Sequence, residues 1–304
     1  MNASPLYTHL ALIGMAALWG ASWPWGRIVA QSMPPLAAAS LRFMLASLVL
    51  VLWLYRSGRM STLRTLDMRQ WIGLALASAV GVLGYSVFFM LALQTVPAGQ
   101  AAMVVALNPV LTMVFAVLLF RESVNVLMCL GLTLAVTGAL YALSGGSLSS
   151  LNPAAPGVGQ WLLLGCAGCW VAYTLLGRMV LTRVDALTTT TVTAVMGAAL
   201  LLAASLSLEG TEVWMGLHRT PMQAWYSIAA LAFGATALAY AWYLNGVKVL
   251  GAGVAAAYMA LVPLFGLLLS SLWLNETLTA SLLSGGAMAI LGMLTMHIGR
   301  MRLP

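Results

Sequence analysis

Ten nearly uncharged apolar runs constrain this chain more than any other feature, because each has the roughly twenty residues that a helix needs to cross the hydrocarbon of a bilayer. They fall at 9–30, 36–55, 71–93, 98–120, 124–143, 159–180, 187–208, 225–247, 252–274 and 280–298. The runs are continuous and do not alternate with a period of two, so they predict helices and exclude a transmembrane barrel. Composition agrees. Residues are 62% hydrophobic and 6% charged, against about a quarter charged in soluble domains. Thirteen Lys and Arg with six Asp and Glu are too few to clothe a globule of 304 residues in water. The expectation is an all-α integral membrane protein, with lipid as its solvent.

The net charge of +7 comes from residues scattered between apolar runs, with no basic patch interleaved with aromatics, so nucleic acid is not an expected partner. Cys129, Cys166 and Cys169 lie inside apolar runs without neighbouring His or carboxylate. They predict packing residues, with neither a metal site nor a disulfide framework, and no cofactor is expected. Residues 1–8 lack the Lys or Arg of a signal peptide's n-region, so no cleaved leader is expected.

Basic residues set the orientation. With a cytoplasmic N-terminus, Arg56, Arg59, Arg64, Arg69, Arg121, Arg178, Arg183, Lys248, Arg300 and Arg302 lie inside and only Arg27, Arg42 and Arg219 towards the other face. Both termini are expected inside, with the Gly-, Ser- and Pro-rich linker at 144–158 outside, between units at 9–143 and 159–298.

The two units repeat. Residues 98–122 lie over 252–276 at one shift, which pairs Ala98 with Ala252, Gly99 with Gly253, Pro109 with Pro263 and Glu122 with Glu276. Gly131 and Gly138 fall over Gly285 and Gly292, and at a slightly different shift Trp19, Gly26 and Arg27 fall over Trp170, Gly177 and Arg178. A unit of five helices is odd, so its copy enters from the opposite face. Inverted repeats of this kind build carriers whose cavity opens to either side in turn.

These features carry a family resemblance: an ALWG-like first span, Arg42–Phe43 in the second, and Ala-Leu-x-Pro followed by a terminal Glu in the fourth and ninth. The chain resembles the EamA-type members of the drug/metabolite transporter superfamily over essentially its whole length, and within them it is most like the YddG-type amino-acid exporters. That resemblance implies a basket-shaped bundle of ten helices, a central cavity lined by the first, third, fourth, sixth, eighth and ninth, and export of aromatic and other neutral amino acids or similar metabolites. The basic cytoplasmic side and the short loops fit a bacterial inner membrane, with an organelle membrane as the alternative.

The middle of the membrane is nearly free of charge. Asp67 and Asp185 fall in cytoplasmic connections, Glu122 and Glu276 end their helices, and Glu209 and Glu212 fall in an outer loop. No central carboxylate is present for a cationic drug or a proton, and no Lys/Arg cluster for phosphates, which leaves a neutral or zwitterionic substrate. Coupling through His9, His218 or His297 is not assigned, and gradient-driven export fits the scarcity of acids. Arg42 has two readings: a structural cation on helix-end carbonyls or water, or a partner for a substrate carboxylate near the outer mouth.

Aromatics at mid-span, away from the interfacial belts, are the other signal. Trp19, Trp23, Tyr85, Phe88, Phe89, Trp170, Tyr173, Tyr240, Trp242, Tyr243 and Tyr258 either fill space between helices or line a cavity, with Asn108, Asn245 and Ser22 supplying uncharged polar contacts. The expected binding set is Trp19, Trp23, Arg42, Tyr85, Phe88, Asn108, Trp170, Tyr173, Tyr240, Tyr243 and Tyr258. Pro109 and Pro263 are hinges or static kinks, and the glycines read as helix packing before a homodimer face, so a monomer is expected. An enzyme is not expected, because neither DxxxD nor HExxH is present. Neither is a channel, which needs polar rings.

Overall fold

The computed structural model describes residues 5–121, 123–143, 157–180 and 184–302. The linker at 144–156, Glu122 and Arg183 lie outside them, and the side chain of Arg178 is likewise not described. Among the described residues every element is helical.

Eight helices are long and apolar enough to cross a membrane: α2 (Pro35–Arg56), α3 (Met68–Thr95), α4 (Ala98–Leu119), α6 (Val158–Val180), α7 (Ala186–Leu208), α8 (Met222–Leu250), α9 (Val254–Leu274) and α10 (Ala280–Met301). Two further helices pack with them, α1 (Pro5–Ser32) and α5 (Val126–Leu143). The loop carboxylates turn out to belong to helix ends. Asp67 forms a capping box with Gln70 at the start of α3, and Asp185 caps α7 through Thr188. Burial alone would raise the Asp185 carboxyl, but hydrogen bonds from Thr188 and the 2.8 Å ion pair with Arg59 outweigh it and hold that group below the usual carboxylate range.

Glu209 is the instructive correction to the loop reading. It follows α7 directly, and its two carboxylate oxygens accept from the backbone N–H of Leu36 and Ala37, each at 2.8 Å. Ser205 donates to the same group at 2.9 Å. The first N–H groups of a helix have no partner in their own helix, so a carboxylate there satisfies two donors and complements the helix dipole.

Irregular backbone recurs at corresponding places. π-helical segments interrupt α3 at Ala79–Gly84 and α8 at Ala230–Leu238. Tight 3₁₀ turns occupy Met103–Ala106 and Tyr258–Leu261, each just ahead of Pro109 or Pro263. A proline has no N–H to give to the preceding turn, so the α-ladder must break there. Arg121 and Asn275 both end their helices in the left-handed conformation with φ 53°.

Helices α5 and α10 meet backbone to backbone. A Cβ on Gly131 would stand 2.6 Å from the Gly292 carbonyl oxygen, one on Gly138 2.6 Å from that of Gly285, and the reverse contacts are equally close. These glycines therefore serve packing within the chain. Gly131→Ala should cost about 1–3 kcal/mol through forced separation of the helices, read as a lower melting temperature in detergent, whereas Gly168→Ala, with open space around it, should leave it unchanged.

Candidate functional site

A cavity of about 120 Å³ lies at the centre of the bundle. Helix α1 contributes Trp19, Ser22 and Trp23, α3 contributes Tyr85, α4 Asn108, α6 Trp170 and Tyr173, and α8 Tyr240. Eight of the eleven residues expected to bind thus face one space: Trp19, Trp23, Arg42, Tyr85, Asn108, Trp170, Tyr173 and Tyr240.

The rings form two connected arcs. Along one, Trp23 tilts against Phe89 at 5.1 Å, Phe89 stacks on Tyr85 at 5.9 Å and 16°, and Tyr85 meets Trp170, which meets Tyr173. On the other, Trp19 presents its edge to Tyr240 at 5.4 Å and lies 5.6 Å from Tyr243. The π segments place these rings. A π turn leaves a carbonyl out of the α-ladder, and in α8 the Ala235 oxygen accepts from Trp19 Nε1 at 3.0 Å. In α3, Gly81 makes room for Tyr173, whose ring would stand 2.3 Å from a Cβ at that position.

Three expected residues lie elsewhere. Phe88 wedges against Gly165 of α6. Tyr258 bonds His9 Nδ1 through its hydroxyl at 2.7 Å, joining the first turns of α1 and α9. Tyr243 lines a second cavity of about 390 Å³, together with Met113, Met128, Met296, His297 and Arg300. Val105, Asn108, Trp170 and Met259 border both cavities and form the neck between them. Asn245 lines neither.

The resemblance left two helices out of the wall. From α2 come Arg42 and Phe43, and from α7 Thr190, Thr193 and Ala194. The Thr188–Thr191 run in an otherwise apolar helix was a legible sign of a polar-facing α7. Among the described residues no carboxylate lines either cavity.

Away from the Arg300 end, the helices are tied together. Glu276, just past α9, accepts from the backbone N–H of Ala98 and Gly99 at 2.7 and 2.8 Å. Arg27 of α1 lies 3.6 Å from the same carboxylate and donates to the carbonyl oxygens of Leu93 and Val96 at the end of α3. One ion pair thus latches α1, α3, α4 and α9, while the Arg300 end carries the larger cavity.

The EamA-like transporter family model matches residues 6–144 and again 157–297. The chain belongs to this family. The uncharacterized transporter YyaM of Bacillus subtilis (strain 168) is 27% identical over 301 residues, covering 98% of this chain and 96% of that protein. The uncharacterized inner membrane transporter YedA of Escherichia coli (strain K12) is 28% identical, covering 88% and 83%. A protein of Salmonella typhimurium (strain LT2) named "probable amino-acid metabolite efflux pump" is 26% identical, covering 93% and 92%. The protein is a multi-pass membrane transporter of the drug/metabolite transporter superfamily, not an enzyme.

Hydrogen bonds to a charged group contribute about 1.5–3 kcal/mol each. Glu276→Gln should therefore shift the latch equilibrium roughly ten- to a hundredfold towards opening. Spin labels at the exposed positions Thr95 and Leu278, in a cysteine-free background, should then report a second, longer distance, and an unchanged distribution would contradict the latch.

Proposed function

We propose that this transporter exports neutral and zwitterionic metabolites with flat apolar side chains, aromatic and other amino acids foremost, by alternating access through the ring-lined cavity. The observation that carries this reading is the wall itself: Trp19, Trp23, Tyr85, Trp170, Tyr173 and Tyr240 surround one space with no carboxylate among the described residues that line it. Such faces stack flat side chains and leave nothing to neutralise a cationic drug. The name of the Salmonella relative supports amino acids, and a YddG-type specificity belongs to this proposal.

In this reading α1 and α5 cross the membrane with the other eight helices, and the units 9–143 and 159–298 form a 5+5 inverted repeat. Two separate matches of one family model support the repeat. So do the paired π segments and the paired left-handed caps, since residues 79–84 shifted by the distance from Pro109 to Pro263 fall on 233–238. Both termini face the cytoplasm because the basic residues gather there, and the name of YedA supports a bacterial inner membrane. The Arg27–Glu276 latch then closes the outer mouth, while the Arg300 cavity is the inner vestibule. Pro109 and Pro263, each beside a 3₁₀ turn, act as the hinges that exchange the two. The protein works as a monomer driven by the substrate gradient.

Purified protein in liposomes should take up labelled phenylalanine saturably at equal pH on both sides, with competition by tryptophan and none by a cationic dye. Trp19→Ala or Trp170→Ala should lower uptake at least about tenfold, the loss of one or two ring contacts. Competition by purines in place of amino acids would move the assignment to another flat neutral metabolite.

A further inference from the structure

Two side chains in the cavity wall each hold a buried polar atom with no hydrogen-bond partner among the described residues, and the two atoms are of opposite kind. Arg42 lines the cavity at the second turn of α2. Its Nε is buried without a hydrogen bond. Its one polar contact runs from Nη2 to Thr236 Oγ1 at 3.5 Å, the limit of a hydrogen bond. That hydroxyl already donates to the Leu231 carbonyl at 3.0 Å. The remaining contacts are ring faces, Phe43 at 5.2 Å and Phe89 at 5.9 Å. Five of the six acids are described, and none reaches Arg42. Glu209 and Glu276 cap helices, Asp67 and Asp185 cap their own, and Glu212 is exposed. No helix-end carbonyl among the described residues is bonded to Arg42, so the carbonyl form of the structural reading is not met.

The second atom is Asn108 Oδ1. Asn108 is 7% exposed, sits at the neck shared by the two cavities, and leaves that oxygen unbonded. A guanidinium in a membrane interior is costly without an anion, and a buried amide oxygen is costly without a donor. A free α-amino acid supplies both missing partners in one molecule, with its side chain left for the rings.

We propose that Arg42 binds the carboxylate of the substrate and Asn108 its ammonium, so that the cavity selects free α-amino acids over their amine and desamino counterparts. This rests on the transport reading above and sharpens it. The planar fork of Arg42 takes a carboxylate through paired N–H bonds, which a Lys cannot reproduce. Asn108 holds the ammonium without a fixed charge, and so imposes no counter-ion when the cavity is empty.

The test measures melting temperatures of the purified full-length protein with phenylalanine, 3-phenylpropanoate and phenethylamine, alongside phenylalanine uptake in liposomes. The wild type should be stabilised most by phenylalanine, less by 3-phenylpropanoate and not by phenethylamine. Arg42→Gln should lose both carboxylate responses and raise the KM for phenylalanine at least about tenfold. Arg42→Lys, which keeps the charge and guards against a folding defect, should retain a weakened response to both. Asn108→Leu should bind phenylalanine no better than 3-phenylpropanoate. The proposal is overturned if Arg42→Gln binds the carboxylates as the wild type does, if phenethylamine stabilises as well as phenylalanine, or if no carboxylate stabilises the wild type. Arg42-dependent carboxylate binding without any uptake would instead remove amino-acid transport and leave the Arg42 anchor in place.

Discussion

Hydrocarbon offers no hydrogen-bond partner, so each backbone group that leaves the α-ladder within the bilayer has to be met by the protein itself. That constraint accounts for most of the long-range polar contacts. Trp19 meets the Ala235 carbonyl within the π segment of α8. Arg27 meets the carbonyls that end α3, and Glu209 and Glu276 meet the first N–H groups of α2 and α4. Against this background Arg42 and Asn108 stand out, because both line the central cavity and each holds a buried polar atom that no described group meets. In the proposed reading, the site is where the protein leaves its own polar groups for a guest.

The same breaks in regular helix give the fold its shape. Where α3 and α8 widen into π turns and α4 and α9 tighten into 3₁₀ turns, four helices leave the regular α-ladder beside the cavity they help to line. Elsewhere the bundle closes tightly, as at the glycine contacts of α5 with α10. A carrier needs both properties: rigid units that move whole, and breaks near the substrate about which they turn.

Much of this was legible in the chain. Apolar runs of spanning length gave the helices, and mid-span Trp and Tyr, lying away from the interfacial belts, gave six large rings of the cavity wall. Phe88 illustrates what was not legible. It and Phe89 are adjacent on a helix that is apolar on all sides, so no periodicity tells which one faces inward. The π turn at Ala79–Gly84 also adds a residue to the winding just before them. Phe89 is the one that touches Trp23 and Tyr85. The role of Glu209 was hidden for a different reason, since its partners Leu36 and Ala37 lie far away in sequence on another helix. Tyr258 read as a cavity residue by its place in α9, yet its hydroxyl is taken by His9.

A central site reached from one end at a time is the core of this account, and counterflow tests it most directly. Liposomes holding the protein are loaded with unlabelled phenylalanine, and entry of labelled phenylalanine is followed from outside. Alternating access predicts faster entry into loaded than into empty vesicles, because the site returns with cargo. Equal rates in both, rising linearly with concentration, would mean a pore and contradict the account.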